Sequence, residues 1–359
     1  MKVVFRVDAS TRIGIGHFMR CLTLADALVA RCAQVHFICR NHKGNQLALL
    51  EKKGIHFNSL PMGDVSCTEG YDPWLGSSQD KDASHTIESI QGLDMGKPDW
   101  MIVDHYALNS QWEMRISPYV EKIFVIDDLA NRFHYCEMLL DQNYQDKGAL
   151  RYQALVPDNC KLLVGPRYAL LGPEFSAHRK THILRDRKLN RILVFFGGTD
   201  PHNMTGLVLE ALTCEEFGYL DVDVVVGANN QHRSVIQEQI NQRLRTTLYG
   251  PLPHLADLMM KADLAFGAGG TTTWERMALG LSCIVITIAD NQTSTADLLD
   301  QNDFIRLVGN SEVANVANLR EALRDEIERC RYKYRAQIGM KLCDAMGVSR
   351  VVDQILGTR

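Results

Sequence analysis

Short apolar runs of strand length alternate with segments of helical period along most of the chain, and this alternation most constrains its fold. One series begins at residues 3–7, and a second begins at residues 191–196. Parallel sheets produce this pattern because crossover helices bury both faces of their strands. The 359 residues amount to about two domains of ordinary size. The sequence therefore predicts an α/β protein with two Rossmann-like domains that face each other across a cleft.

The pattern also suggests limits for these domains. We predict an N-terminal domain at 1–165, a connecting segment at 166–188, a second domain at 189–340 and a C-terminal helix at 341–359 that packs back on the first domain. Residues 61–97 break the alternation, since Gly, Ser, Asp and Pro are frequent there. We expect a mostly irregular insertion with one short helix near 83–91.

Charge and cysteine distribution argue against several classes of protein. The chain has 39 basic and 43 acidic residues, a net charge of -4 and no long run of either sign, so neither nucleic acid nor a membrane is an expected partner. Arg6 and Asp8 interrupt the apolar stretch that a secretion signal needs. The 10 cysteines include no C-x-x-C pair, which is typical of reduced thiols. We expect a cytoplasmic monomer.

The loop after the first strand has the features of an anion-binding turn. Gly14 and Gly16 permit a tight turn, and the helix that follows directs its N–H groups and the positive end of its dipole into the loop. His17 lies where the turn meets the helix, a position that disfavours an imidazolium. His17 is therefore a candidate general base, with a packing or helix-capping histidine as the alternative.

The same loop does not match a dinucleotide-binding fingerprint. A G-x-G-x-x-G motif needs a third glycine where Met19 stands. The second strand ends at Arg40 without the acidic residue that holds a ribose in NAD sites. An NAD enzyme is disfavoured, and no cofactor is expected.

A second glycine-rich turn joins a strand to a helix in the other half of the chain. Gly269 and Gly270 expose backbone N–H groups and Thr271 adds a hydroxyl, a combination that suits a diphosphate. Glu275, one turn further on, is placed to accept both hydroxyl protons of a ribose. A threonine N-cap followed by an acidic first turn is the alternative interpretation.

Two more loops of the second half follow strands and point to the same kind of ligand. The turn containing Gly198 and Thr199 follows the strand near 191–196 and is placed to meet phosphate. Residues 289–292, which end at Gln292, follow the strand near 282–287 and are placed to bind sugar substituents. Ordinary turn chemistry explains either loop when it is taken alone.

Metal binding is not predicted. The 12 histidines show no H-x-H or H-E-x-x-H spacing. Two D-x-D patterns, at 80–82 and 221–223, are of a kind that holds divalent ions in some transferases. The first lies in the irregular stretch and the second begins a predicted strand, so neither is expected to hold a metal.

Taken together, the motifs resemble a known family. They comprise residues 6–10, 13–25, 103–106, 197–200, 267–275 and 290–292. Over nearly the whole chain they resemble the UDP-2,4-diacetamido-2,4,6-trideoxy-β-L-altropyranose hydrolases of pseudaminic acid biosynthesis. The second half is more distantly similar to the UDP-GlcNAc transferase that makes lipid II.

The resemblance implies a GT-B-like fold, no metal, and cleavage of the sugar–phosphate C–O bond with inversion. It implies that His17 is the general base, and that Tyr106 and Asn291 bind the sugar or assist catalysis. Arg20, inside the first motif, becomes a candidate substrate-binding residue. The transferase-like half implies that backbone at Leu252 contacts uracil.

One base is enough for this reaction because UDP leaves as a stable anion and, unlike the alcohol in a glycosidase, needs no general acid. A positioned base contributes about 10²- to 10⁴-fold in rate. Two alternatives remain open. An inverting GT-B glycosyltransferase would use His17 on an acceptor hydroxyl, and a non-catalytic sensor of sugar nucleotides would have no use for a base.

Overall fold

The structure of the protein is a computed structural model that describes residues 1–63, 71–181 and 188–358. The chain folds into two compact units. The first contains Met1–Leu170 together with Met346–Arg359, and the second contains Leu171–Ala345.

Within the described residues, the first unit contains a seven-stranded parallel sheet with helices on its faces. Its strands are β1 (Lys2–Val7), β2 (Gln34–Arg40), β3 (His56–Leu60), β4 (Trp100–Asp104), β5 (Lys122–Ile126), β6 (Met138–Asp141) and β7 (Lys161–Val164). Its helices up to this point are α1 (Gly16–Val29), α2 (Leu47–Lys53), α3 (Asp72–Leu75), α4 (Gln79–Gln91) and α5 (Ser110–Ile116).

The strand order places two loops at the ligand-binding position of this sheet. The order is β3-β2-β1-β4-β5-β6-β7, so the direction of winding reverses between β1 and β4. Ligands of open α/β sheets bind beyond the carboxyl ends of the strands at such a switch point. The loops after β1 and β4 are therefore the candidate positions in this unit.

The second unit repeats this design. In the part of it that the structure describes, a six-stranded parallel sheet has the order β10-β9-β8-β11-β12-β13, with its switch point between β8 and β11. The strands are β8 (Arg191–Phe195), β9 (Asp221–Val225), β10 (Thr246–Tyr249), β11 (Leu264–Gly267), β12 (Ser282–Thr287) and β13 (Arg306–Asn310). The helices are α6 (Pro173–Thr181), α7 (Met204–Leu212), α8 (Arg233–Asn241), α9 (Ala256–Lys261), α10 (Thr272–Ala278), α11 (Asp290–Gln301), α12 (Val316–Arg329) and α13 (Arg331–Leu342). The two Rossmann-like sheets predicted from the sequence are confirmed.

The last helix, α14 (Gly347–Leu356), belongs to the first unit. Val351 and Val352 are buried in the same apolar cluster as Leu24 of α1. The Trp100 indole N–H donates to the carbonyl of Ile355 at 3.2 Å. No helix among the described residues combines the length and apolar content that crossing a bilayer requires.

Residues 61–97 are more ordered than the sequence predicts. Residues 64–70 of this stretch lie outside the described residues. Helix α4 begins at Gln79 rather than near Ala83, and its Asp82 side chain is fully buried in the first unit. The apolar period is weak here because the inner face of α4 carries the Asp82 carboxylate and the Thr86 hydroxyl alongside the apolar Ala83 and Ile90.

Asp82 binds two buried arginines of the sheet. Arg6 of β1 donates to its carboxylate through Nε at 3.1 Å and Nη2 at 2.7 Å, and Arg40 of β2 donates as well. The Trp112 indole N–H donates at 3.0 Å. Burial alone would raise the pKa of Asp82, but the two guanidinium groups hold that pKa below its usual value.

Replacing Asp82 with alanine should lower the free energy of unfolding by about 3–5 kcal/mol, because two buried guanidinium groups would lose their carboxylate. Asp80→Ala is the matched control. The Asp80 side chain is 88% exposed and pairs with Arg115 at the surface, so this variant should lose no more than about 1 kcal/mol. Urea unfolding measures both variants, and equal losses would contradict the assignment.

Candidate active site

The loop after β1 closes into a turn at the start of α1. The Gly14 N–H donates to the carbonyl of Ser10 at 2.9 Å, and Gly14 has a φ of 80°, in the left-handed region that favours glycine. The Ser10 hydroxyl accepts from the N–H of Ile13 at 2.9 Å. Helix α1 begins at Gly16, so His17 lies in its first turn.

His17 is held by a buried carboxylate at the end of β4. His17 Nδ1 lies 2.6 Å from Oδ1 of Asp104, and the imidazole is 11% exposed. Burial alone would raise the pKa of Asp104, but Arg20 and His17 hold that pKa well below its usual value. Arg20 Nη2 also lies 3.1 Å from Nδ1, but the shorter contact is with an ionised carboxylate, which only accepts. We therefore assign the proton to Nδ1 and the lone pair to Nε2. The imidazole is therefore oriented as a base.

Arg20 joins this pair to a second carboxylate. Its Nε and Nη2 donate to the two oxygens of Asp104 at 2.6 and 2.7 Å, and its Nη1 donates to Asp128 at 2.7 Å. The guanidinium is 4% exposed. Bidentate pairs of this kind fix geometry as well as charge. The structure thus places Arg20 where it positions the carboxylate behind His17, while its predicted contact with substrate stays a prediction.

Tyr106 completes the surroundings of the imidazole. Its hydroxyl donates to Asp128 at 2.8 Å, and its ring centroid lies 4.5 Å from that of His17 with the rings at 85°. This edge-to-face contact is a preferred geometry for aromatic pairs. The structure therefore brings together three of the predicted residues, namely His17, Arg20 and Tyr106.

In the second unit, the Gln292 side chain forms hydrogen bonds with two of the predicted loops. Its side-chain Oε1 accepts from the N–H groups of Gly269, after β11, and of Ile288, after β12, at 3.1 and 3.2 Å. The N–H of Gly269 is thus engaged by the protein. Thr271 is the N-cap of α10 but makes no side-chain capping hydrogen bond. Two of its first N–H groups are bonded within the turn, that of Thr273 to the carbonyl of Gly270 at 2.9 Å and that of Trp274 to the carbonyl of Thr271 at 3.0 Å. The helix start therefore attracts an anion mainly through the positive end of its dipole.

A buried arginine lies directly against this turn. Arg276 donates to the carbonyl of Ala268 at 2.8 Å and to the hydroxyl of Thr273 at 3.0 Å. A Cβ at Gly267 would lie 2.6 Å from its Nη1, so only glycine there leaves room for the guanidinium. The positive charge strengthens the case for an anionic ligand at the turn. The sequence analysis did not identify this residue.

Glu275 is partly buried beside the same turn. Burial raises its pKa to about 7; the Arg276 charge opposes this rise and the Glu174 carboxylate of α6 adds to it. With this pKa, about half of the Glu275 side chains are protonated near neutral pH. Ligand hydroxyls that donate to the carboxylate would stabilise its ionised form. This environment is compatible with the predicted ribose contact.

The remaining predicted residues follow strands β8, β10 and β12. Gly198 packs closely on Gly227, where a Cβ would lie 2.1 Å from the Gly198 carbonyl oxygen, and Thr199 is half-buried next to it. Asn291 is exposed in the first turn of α11. Leu252 is 40% exposed after β10, which is two strands from β8 in the sheet. The structure places these residues beyond the carboxyl ends of β8, β10 and β12.

The carboxylates of the two D-x-D patterns are engaged with arginines. Asp82 binds Arg6 and Arg40, and Asp223 binds Arg191 at 3.0 Å. Among residues 1–63, 71–181 and 188–358, no group of three or more His, Cys, Asp or Glu side chains is arranged to hold a metal ion.

No known protein-family profile matches the chain. The chain is 27% identical over 299 residues to the spore coat polysaccharide biosynthesis protein SpsG of Bacillus subtilis, covering 82% of this chain and 80% of that protein. It is 25% identical over 305 residues to the UDP-2,4-diacetamido-2,4,6-trideoxy-beta-L-altropyranose hydrolase of Campylobacter jejuni, covering 85% and 98%. An uncharacterized protein of Methanocaldococcus jannaschii is 24% identical, and there the match spans 55% of its length.

Solved structures show the same architecture at low sequence identity. Acinetobacter baumannii MurG has a TM-score of 0.69 at 13% identity, with 99% of each chain covered. Medicago truncatula UGT71G1, solved with UDP-glucose, has a TM-score of 0.68 at 11% identity, covering 99% of this chain and 98% of that one. The calicheamicin glycosyltransferase CalG4 has a TM-score of 0.65 at 12% identity, with the same coverage. The fold is GT-B-like. The predicted fold class is thereby confirmed, and at these identities the likeness extends to the fold alone.

Proposed function

We propose that the protein is a UDP-sugar hydrolase that cleaves the sugar–phosphate C–O bond of a UDP-linked 2,4-diacetamido-2,4,6-trideoxy sugar, as in pseudaminic acid biosynthesis. The observation that carries this proposal is the 2.6 Å contact between His17 Nδ1 and Asp104, which leaves Nε2 as an oriented base. The Campylobacter hydrolase adds support, because the match covers 98% of its length.

In the proposed reaction, His17 Nε2 takes a proton from water as the water oxygen bonds to the anomeric carbon. The bond between that carbon and the phosphate oxygen breaks, and its electron pair leaves on UDP. Attack opposite the leaving group inverts the anomeric configuration. Asp104 stabilises the imidazolium that forms, and Arg20 keeps Asp104 ionised and in place.

We assign the nucleotide to the second unit. The start of α10 and the charge of Arg276 favour a diphosphate at the turn of Gly270 and Thr271, and Glu275 is the proposed ribose ligand. The same arrangement stabilises charge that grows on the phosphate as the bond breaks, without a general acid. The predicted contact of Leu252 with uracil and those of Gly198 and Thr199 with phosphate belong to this proposal.

An inverting glycosyltransferase is the second candidate, because the structural neighbours include the glycosyltransferase CalG4. The same imidazole would then take a proton from an acceptor hydroxyl instead of water. A set of UDP-sugars incubated with the protein and no acceptor separates the two functions. Proton NMR should detect UDP and free sugar in the absence of any acceptor, whereas a transferase would leave the UDP-sugars intact.

The ribose assignment predicts that uridine binds more tightly as the pH rises from 6 to 8. Because the Glu275 pKa is raised to about 7, the ionised form that accepts ribose hydroxyls increases over this range, and Kd should fall by up to about tenfold. Glu275→Gln should bind weakly at both pH values, with the pH dependence removed. Glu174→Gln is the control, since loss of a like charge should move the transition to lower pH without weakening binding at pH 8. Calorimetry measures each Kd, and a pH-independent wild-type value would contradict the assignment.

A further inference from the structure

Two aromatic residues that no sequence motif includes lie beside Tyr106 and His17. Tyr71 and Trp74 pack on Tyr106, with ring centroids 4.9 and 5.5 Å from that of Tyr106 and 4.8 Å from each other. The Trp74 and Tyr106 rings are stacked at 26°. The Trp74 ring lies 6.3 Å from the imidazole of His17. We call Tyr71, Trp74 and Tyr106 the aromatic wall.

The backbone that carries Trp74 is fixed by its neighbours. Leu75 is buried in the apolar core of the first unit. Gly76 has a φ of 65° and packs so tightly that a Cβ there would lie 2.8 Å from His42 Cε1 and 3.1 Å from Arg40 Cδ. The carbonyl of Gly76 accepts from the N–H of Gly63 at 2.8 Å. The backbone next to Trp74 is therefore held in place by the buried Leu75 and by the packing of Gly76 on His42 and the buried Arg40.

Trp74 differs from the other tryptophans of the chain in its exposure. Trp100, Trp112 and Trp274 are buried in the cores of their units, whereas Trp74 is only partly buried. Trp100 and Trp112 donate their indole N–H groups to protein acceptors. Among the described residues, none accepts from the Trp74 indole. The Trp74 ring and its indole N–H are therefore close enough to His17 to contact a ligand bound there.

We propose that Trp74, supported by Tyr71 and Tyr106, binds the sugar ring of the substrate and selects for N-acetyl and C6-methyl substituents over hydroxyl groups. The C–H face of a pyranose and its methyl groups suit a flat aromatic surface, and an acetamido carbonyl suits the indole N–H. Hydroxyl groups directed at the faces of these rings would lose water to carbon atoms that offer no ordinary hydrogen-bond acceptor. This inference rests on the proposed function for the position of the sugar next to His17.

Steady-state kinetics with the UDP-linked diacetamido trideoxy sugar test the wall directly. Trp74→Ala should raise KM by about tenfold with kcat changed by less than about threefold, and Trp74→Phe should retain most of the wild-type KM. Tyr135→Ala removes an aromatic ring that is 43% exposed on the same unit and should have no effect. An unchanged KM in Trp74→Ala would overturn the proposal.

Tryptophan fluorescence tests the same contact without catalysis. Three of the four tryptophans are buried, so quenching by iodide reports mainly on Trp74. Methyl 2-acetamido-2,6-dideoxyglucopyranoside should protect the wild type from quenching, and methyl glucopyranoside should protect far less. Equal protection by the two sugars, or none by either, would overturn the proposal. If wild type hydrolyses no UDP-sugar yet shows selective protection, the proposed function fails while the aromatic wall is supported.

Discussion

The His17→Asn variant should lose kcat by at least about 100-fold, with KM changed by less than about threefold. Water bound at the anomeric carbon would have no acceptor for its proton, whereas the contacts that hold UDP belong to other residues. Asparagine retains a polar group of similar reach next to Asp104, so the buried carboxylate keeps a donor. Initial rates of UDP release over a range of substrate concentrations give kcat and KM.

The control for this variant is His56→Asn, which removes an exposed histidine from β3 of the same unit and should retain wild-type rates. Calorimetric titration with UDP should give the same Kd for His17→Asn and wild type. Near-normal turnover in His17→Asn would remove the imidazole from the mechanism. A protein that binds UDP but shows no turnover even as wild type would instead act as a sensor.

The Asp104→Asn variant should lower kcat by about 10²- to 10³-fold, although Asp104 lies behind the imidazole and does not face the substrate. The amide no longer fixes the proton on His17 Nδ1, so part of the imidazole adopts the tautomer that has no lone pair on Nε2. The imidazolium also loses its charged partner. Nitrogen NMR of labelled histidine detects this change, because wild type should show a single tautomer at His17 and the variant a mixture.

Asp128→Asn separates this effect from a general loosening of the site. Asp128 binds Arg20 and Tyr106 but makes no contact with the imidazole nitrogens, so its loss should leave the His17 tautomer unchanged and reduce kcat by about tenfold. A single His17 tautomer in Asp104→Asn, or a loss of rate no greater than in Asp128→Asn, would contradict the positioning role of Asp104.

The fold followed from the sequence where strands are buried on both faces. β1, β2 and β12 read as nearly continuous apolar runs because helices cover both sides of each sheet. The edge strand β10 was predicted, but two other edge strands did not stand out. β3, with the sequence HFNSL, and β13, with RLVGN, are paired on one side only and retain polar or small residues, so their pattern resembles that of a loop.

The site was only partly predictable because some of its residues are close in sequence, whereas others are brought together only by the fold. His17 and Gly14 belong to one local motif, which a linear sequence shows. Asp104 lies 87 residues from His17, and only the pairing of β1 with β4 brings them together. An acidic residue at the end of an apolar strand was the available signal, and Asp128 after β5 shows it as well.

The sequence analysis did not predict the aromatic wall, for a different reason. Trp74 lies in a stretch of poor periodicity, where the inner face of α4 carries the charged Asp82, bound to two arginines, beside the apolar Ala83 and Ile90. The ion pairs of Asp82 with Arg6 and Arg40 are buried in the first unit. Arg40 also packs against Gly76, close to Trp74 in the chain. An interpretation based on apolar period alone predicts only the part of α4 near 83–91 and treats the segment of Trp74 as loop.

Cleavage in water enriched in oxygen-18 tests the central claim most directly, namely that water activated by His17 attacks the anomeric carbon. With the UDP-linked diacetamido trideoxy sugar and no acceptor, the account predicts one oxygen-18 atom at C1 of the released sugar and none in UDP, with the inverted anomer appearing first in NMR spectra. Oxygen-18 in the UDP product, or no cleavage until an acceptor is added, would contradict it.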